Sequence, residues 1–474
     1  MTDGLPALER QVARDLRLVA YPDLEWVPPR EADGTRVLDV LVVGAGQGGL
    51  AIAAQLLRER VTNFLVVDGA EAGSEGIWTG YARMHTLRTA KSVTGPDLGL
   101  PSLTFQAWFE AQHGGAAYET LHKIAKQDWH AYLCWLRHVL DIPVQNRTRF
   151  TGVVPDGSLL RITLERPQGT VSVLARKLVL ANGIDASGRW WMPPEIAGLP
   201  RSVRAHSADA IDFPGLRGKR IAVLGAGASA FDNAAVALEH GAATVTLLCR
   251  RQELQRVQPY KIIANAGFLR HLGAMPDAMR WPMMRYLLNV REALTLETWN
   301  RATCHPGFVL QTGAPVQEAS LLDGVVQLRT PNGSLAADFV ICGTGLQIDL
   351  SLRPELALLS QHAALWRDRY TPPASERDER IGSYPYLGRG MQFIERKPGA
   401  APWLANVHCF NFGATLSMGP SGSSISGMKF AVPRLVQALT EDLFREDFAM
   451  HRQTILDYQL PEFPLTLARD RAAG

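Results

Sequence analysis

The run Val37-Leu38-Asp39-Val40-Leu41-Val42-Val43-Gly44-Ala45-Gly46-Gln47-Gly48-Gly49-Leu50 decides the fold of this 474-residue chain. Its apolar, β-branched first half predicts a buried strand of a parallel sheet. Gly44, Gly46 and Gly49 then fill the three positions of G-x-G-x-x-G, and the Ala- and Leu-rich stretch after them predicts a helix. The first glycine permits the tight turn, the second lets a pyrophosphate reach the backbone, and the third lets helix and strand close together. Unpaired N–H groups at the helix start would face the pyrophosphate charge. A second apolar strand, Phe64 to Val67, ends at Asp68, where an acid holds the ribose hydroxyls of a dinucleotide. The alternative is a glycine turn without a ligand. Strand, helix and acid in register favour the dinucleotide.

The signature recurs further along. Past Pro193-Pro194 and the basic turn Arg217-Gly218-Lys219-Arg220, Ile221 to Leu224 predicts a strand. Gly225-Ala226-Gly227-Ala228-Ser229-Ala230 then supplies G-x-G-x-x-A, with Gly225, Gly227, Ser229 and Ala230 as its contact positions and a helix from Asp232 to His240 behind. The following strand ends at Arg250-Arg251 instead of an acid. Guanidiniums there can fork onto the 2′-phosphate of NADPH, the plain alternative being a solvated basic turn. Two such turns point to a two-dinucleotide flavoprotein, with FAD at the Asp-ended fold and NADPH at the Arg-ended one. Apolar strands closing on Ala181-Asn182-Gly183 and Gly343-Thr344-Gly345 bracket the second fold as its outgoing and returning crossings.

The expected architecture is therefore α/β, with two Rossmann-like dinucleotide-binding domains and the NADPH domain inserted into the FAD domain. Residues 1–36 read as a leader helix and linker, and 37–200 as the first part of the FAD domain. Residues 201–345 read as the NADPH domain, with a helical insertion at 252–306, and 346–474 as the second part of the FAD domain. Residues 105–141 read as helical, their aromatic residues as core, and 144–180 as short strands. Met275, Met279, Trp281, Met283 and Met284 suit either a substrate-facing lid or an ordinary helical insertion. A net charge of +3 with 20% charged residues argues against a nucleic-acid or membrane-surface role. No apolar run reaches the ~20 residues of a membrane span, and the start lacks the pattern of a secretory signal. Cys134, Cys249, Cys304, Cys342 and Cys409 form no C-x-x-C pair, which predicts a cytoplasmic protein without a zinc site or dithiol centre.

Just past the second strand, Gly73-Ser74-Glu75-Gly76-Ile77-Trp78 and Met84-His85-Thr86-Leu87-Arg88-Thr89-Ala90-Lys91 break all periodicity at the ligand-binding edge of the sheet. The G-x-W step and the L-x-T stretch resemble the flavin-contacting segment of the class B flavoprotein monooxygenases. That superfamily includes the flavin-containing, N-hydroxylating and Baeyer–Villiger monooxygenases. Gly343-Thr344-Gly345 resembles the family's A-T-G step with Gly343 in place of Ala, and Ala181-Asn182-Gly183 echoes it. The likeness runs from about Leu38 onward. The family's F-x-G-x-x-x-H segment is represented only by His206-Ser207, so the branch stays open.

The resemblance implies FAD contacts from Trp78, Thr344, Gly345 and Ser421, the last at a helix start facing the flavin's pyrimidine edge. Trp78 as a packing anchor is the alternative. It also implies NADPH-dependent insertion of one oxygen atom from O2 into a small organic substrate through a flavin hydroperoxide. Arg88, Lys91, His206 and Asn411 are the polar candidates around the ring, with a linker role as the other reading of His206. Two other functions stay open: an NAD(P)H oxidase or reductase without substrate oxygenation, and a nucleotide-sensing protein without turnover. A homo-oligomer is compatible with either, and the sequence names no substrate.

Overall fold

The computed structural model describes residues 4–19, 23–420 and 424–463 and contains two largely parallel sheets, one interrupting the other. The first uses β1 (Thr35–Val43), β2 (Phe64–Val67), β3 (Val144–Gln145), β4 (Arg149–Asp156), β5 (Leu159–Arg166) and β6 (Gly169–Leu180) in the order β3-β2-β1-β6-β5-β4. Val40, Leu41 and Val42 are fully buried, which is why the run reads as continuously apolar. Each such side chain contributes roughly 1.5–3 kcal/mol on leaving water. Helix α1 (Gly4–Leu18) docks through buried Val12, and its Glu9 accepts a hydrogen bond from the indole of Trp135. Helix α2 (Gln47–Arg58) follows the first glycine turn, and α3 (Lys126–Val139) buries Trp129, Tyr132 and Trp135 among the expected aromatic core.

From β6 the chain leaves through β7 (Gly188–Trp190) and enters the second sheet. That sheet consists of β8 (Arg204–His206), β9 (Arg220–Leu224), β10 (Thr244–Leu248), β11 (Phe308–Gln311) and β12 (Phe339–Cys342), all parallel, in the order β11-β10-β9-β12-β8. It returns through β13 (Leu346–Ile348), which pairs antiparallel with β7, so the two crossings form one ribbon. Strand β14 (Val407–Cys409) then rejoins the first sheet beside β6. The second sheet thus lies wholly between β6 and β14 in sequence.

Helix α4 (Ala228–Glu239) begins four residues before the expected Asp232, because Gly227 already serves as its N-cap. In the 252–306 segment, α5 (Asp277–Val290) buries Trp281 and Met284 against Trp366, Ile381 and Leu416, while Met275, Met279 and Met283 point outward. This helix is consequently a packed bridge to the C-terminal part of the chain, as in the ordinary-insertion reading. Helix α6 (Leu296–Thr303) lies on α4, with the rings of Phe231 and Trp299 5.8 Å apart.

Helix α7 (Ile425–Glu446) closes the first sheet, and its C-terminus is fixed by buried charge. Arg176 and Lys177 of β6 are almost fully buried; Arg176 pairs with Asp39, Glu446 and Asp447, and Lys177 with Glu446 and Asp442. Burial raises the Asp39 carboxyl, while Lys177 and Arg176 outweigh burial at Glu446 and hold its carboxyl below the ordinary value. Removing one partner from such a set typically costs about 3–5 kcal/mol.

Candidate functional site

The carboxyl ends of both sheets carry the chemistry, as expected for parallel α/β sheets. At the first, Gly44 donates its N–H to Val67 and has φ of +101°, and a Cβ on it would lie 2.5 Å from the carbonyl oxygen of Ala181. Asp68 accepts hydrogen bonds from the N–H of Ala45 and of Ala70, 2.8 Å each. A carboxylate has about four lone-pair sites, so Asp68 keeps capacity for two ribose hydroxyls while fixing the glycine turn.

The loop 73–78 lies across this turn, with Gly76 packed on Gly46. Buried Glu75 holds it there: the carboxylate pairs with Arg137 at 2.5 Å and accepts from Asn146 and from the N–H of Gly73. Trp78 meets Trp129 edge-on, and the indole N–H of Trp129 donates to Gln47 at the start of α2. A cavity of about 370 Å³ adjoins Ala45 and Gly46, walled by Glu75, His130 and Arg137. It is on the scale of small-ligand sites. Glu75, Arg137 and Asn146 escaped the sequence reading; a lone acid between two glycines was the available signal.

At the second sheet, Gly225 has φ of +136° and donates to Leu248, and nothing lies within 4 Å of a Cβ built on Gly227. Gly227 and Ser229 are exposed at the helix start, whereas Ala230 is buried against Gly343. The two arginines differ. Arg250 is exposed and makes no ion pair or hydrogen bond among the described residues. Arg251 donates to the carbonyls of Asn289 and Val290, stabilising the negative end of α5. Of the two, only Arg250 is unengaged.

The polar residues expected around the flavin ring have other partners. Arg88 pairs with Asp232 of α4 at 2.5 Å, and Arg301 of α6 approaches the same carboxylate at 3.7 Å. Burial raises the Asp232 carboxyl, and the two guanidiniums oppose that rise. With Thr86 and Lys123 both on Glu297, these contacts latch the 84–91 loop to the second sheet's helices. Lys91 donates to the carbonyls of Tyr118 and Glu119 and lies over the Tyr118 ring, so it caps a short helix. Asn411 is a buried knot: its oxygen accepts from Ser187 and from the N–H of Gly413, and its amide donates to Leu180. Arg88, Lys91 and Asn411 are therefore each engaged within the fold itself.

His206 ends β8 at the carboxyl edge of the second sheet, its ring tilted by 30° against Trp190 with centroids 5.1 Å apart, and Trp190 in turn meets Tyr81 edge-on. Its Nδ1 accepts from Ala208 N–H, Nε2 has no partner, and burial holds the imidazole below its ordinary pKa. With Nδ1 accepting, the neutral ring carries its proton on Nε2, which is buried on the side of the Gly345 backbone. Thr344 donates to Trp191, and Gly345 accepts from the N–H of the same residue, which locks the two crossings together. Ser421 lies outside the described residues.

The chain has counterparts among known proteins. Residues 41–266 match the family model described as pyridine nucleotide-disulphide oxidoreductase. The FAD-dependent urate hydroxylase of Xanthomonas campestris pv. campestris is 41% identical over 461 residues, covering 97% of each chain. The chain belongs to the family of this FAD-dependent urate hydroxylase. It is a FAD-dependent monooxygenase. Its fold matches the solved ornithine N-hydroxylase of Kutzneria sp. 744, at a TM-score of 0.65 and 16% identity over 86% of this chain and 99% of that one. It also matches the L-lysine 6-monooxygenase of Pseudomonas syringae, at a TM-score of 0.66 and 17% identity over 85% and 99%. No described helix of the monooxygenase is long and apolar enough to cross a membrane.

Proposed function

We propose that this monooxygenase hydroxylates urate or a closely related planar heterocycle, with FAD on the first glycine turn and NADPH on the second. The observation that carries the reading is the 41% identity to a FAD-dependent urate hydroxylase along 97% of both chains. The residues present fit both cofactors. Gly46 lines the cavity of about 370 Å³ at the start of α2, Asp68 retains acceptors for a ribose, and Arg250 is an unengaged guanidinium at the end of β10. FAD, when bound, supplies hydride acceptance and oxygen activation. The protein's part is to orient and to exclude water. The 73–78 loop covers the first turn, the Arg88–Asp232 latch ties the 84–91 loop to the helix after the second, and buried His206 ends β8 at the carboxyl edge of the second sheet. The unpaired cysteines support work in a reducing cytoplasm.

In the balanced reaction urate, which has no C–H bond, gains one oxygen atom from O2 as a hydroxyl on a ring-fusion carbon. A ring N–H gives up its proton and becomes an imine nitrogen, while NADPH, a proton and the second oxygen atom give NADP+ and water. The test is turnover of urate with NADPH under heavy-isotope O2. One labelled oxygen atom should enter the product for each NADPH oxidised. NADPH consumption matched by hydrogen peroxide, with urate recovered unlabelled, would establish the oxidase alternative.

A further inference from the structure

Arg291 is built at a cost that nothing in the folded chain returns. It directly follows α5, and its N–H still bonds the carbonyl of Leu287, yet its φ is +67°. A non-glycine residue at such a positive φ is strained. Its half-buried guanidinium makes no ion pair, hydrogen bond or ring contact among the described residues. Burial also pulls its pKa down, as do Arg380 and Arg251, while the phenols of Tyr384 and Tyr260 oppose the shift. The neighbouring cations are engaged: Arg251 on the carbonyls of Asn289 and Val290, Arg380 on the side chain of Asn289. A desolvated cation without a partner is rarely retained for packing, and such groups mark ligand sites.

The phenols of Tyr384 and Tyr260 lie within electrostatic range of the Arg291 guanidinium, and Tyr260 shares with the Arg291 N–H the carbonyl of Leu287. Tyr384 is 3% exposed and its hydroxyl has no hydrogen-bond partner among the described residues. The Tyr384 ring lies 6.3 Å from Phe412, which follows Asn411 at the carboxyl edge of the first sheet. Tyr260 packs in the same cluster, and its hydroxyl donates to Leu287 and fixes the ring as a wall. A guanidinium, an unengaged phenol and flat apolar walls together select a planar anion.

We propose that Arg291 and Tyr384 are the substrate-recognising pair of this monooxygenase, and that they receive the oxyanion edge of a planar heteroaromatic anion. The assignment rests on the urate reading, since urate is such an anion at neutral pH. An NADPH phosphate is the competing source of negative charge. Steady-state kinetics on flavin-loaded enzyme separate the two. Arg291→Met should raise the KM for urate about ten- to a hundred-fold and leave the KM for NADPH and the flavin content unchanged. Arg291→Lys should recover part of the loss, and Tyr384→Phe should show a smaller rise. A rise in the NADPH KM alone would overturn the assignment in favour of the coenzyme. Benzoate, a planar carboxylate probe, should perturb the flavin absorbance of the native enzyme and not of Arg291→Met. If native enzyme fails to turn over urate but shows this benzoate difference, the urate reading falls and the anion site stands. Equal benzoate binding by both proteins, or none by either, would remove the site.

Discussion

At the first glycine turn a Cβ on Gly46 would lie 3.5 Å from the Cα of Gly76, because the 73–78 loop crosses it; at the second, a Cβ on Gly227 meets nothing within 4 Å. The first strand pair ends at Asp68, tied into the turn through Ala45, and the second ends at Arg250, exposed and unengaged. The same motif is thus covered in one fold and open in the other, which suits a resident FAD and an exchanging NADPH. The third positions differ for a related reason. A Cβ on Gly49 would fall 1.8 Å from the carbonyl oxygen of Gly44. Ala230 is accommodated because the facing crossing residue is Gly343, where a Cβ would meet that of Ala230 at 2.7 Å. The departure from the family's A-T-G step is therefore one half of a paired exchange of small residues.

The largest expected effect follows from that pairing. Gly49→Ala must displace main chain on one side of the first turn, and a cost above about 4 kcal/mol, with flavin-free or insoluble protein, is expected. Ala230→Gly at the matching position should cost only about 1 kcal/mol. Denaturant melts of both variants check the contrast, and comparable losses would break it.

Buried His408 in β14 makes the first sheet acid-sensitive. Its Nδ1–H donates to Gly390, Nε2 has no partner, and burial lowers its pKa to about 4. A depressed histidine stabilises the fold above its unfolded pKa near 6.5, and that contribution is lost as pH falls through about 4. The total is on the order of 3 kcal/mol. His408→Gln should flatten the dependence of urea stability on pH between about 7 and about 4.5. An unchanged slope would show that other groups carry it.

The arginine pair gives a smaller, coenzyme-specific contrast. Arg250→Ala should raise the KM for NADPH about ten- to a hundred-fold, equivalent to roughly 1.5–3 kcal/mol, and leave that for NADH unchanged. Arg251→Ala removes two hydrogen bonds to α5, so it should lower the melting temperature and affect both coenzymes alike. An equal effect of Arg250→Ala on the two coenzymes would separate this residue from the phosphate.

The glycine turns, Asp68 and the strands around them were legible because their chemistry is local: main-chain conformation and close approach demand those residues at that spacing. The inserted order of the sheets was legible from two apolar strands ending in matching steps. Partners distant in sequence were not. Arg88 finds Asp232, Glu75 finds Arg137, and Arg251 finds the end of α5, none of which local periodicity encodes. The Met-rich stretch likewise gave a helix without giving its inward face, which Trp281 and Met284 occupy. Strand β11 was missed beside the helical insertion, and Arg291 carries no motif at all.

The division between a covered and an open turn is tested most directly by the flavin bound per chain in two matched variants, Gly46→Val and Gly227→Val. A β-branched side chain at the first position closes the approach of a pyrophosphate, and at the second it projects into the open coenzyme side. Gly46→Val should purify colourless. Gly227→Val should keep one flavin per chain while NADPH no longer reduces it. Full flavin content in Gly46→Val, or flavin loss in Gly227→Val, would contradict the assignment of the two turns.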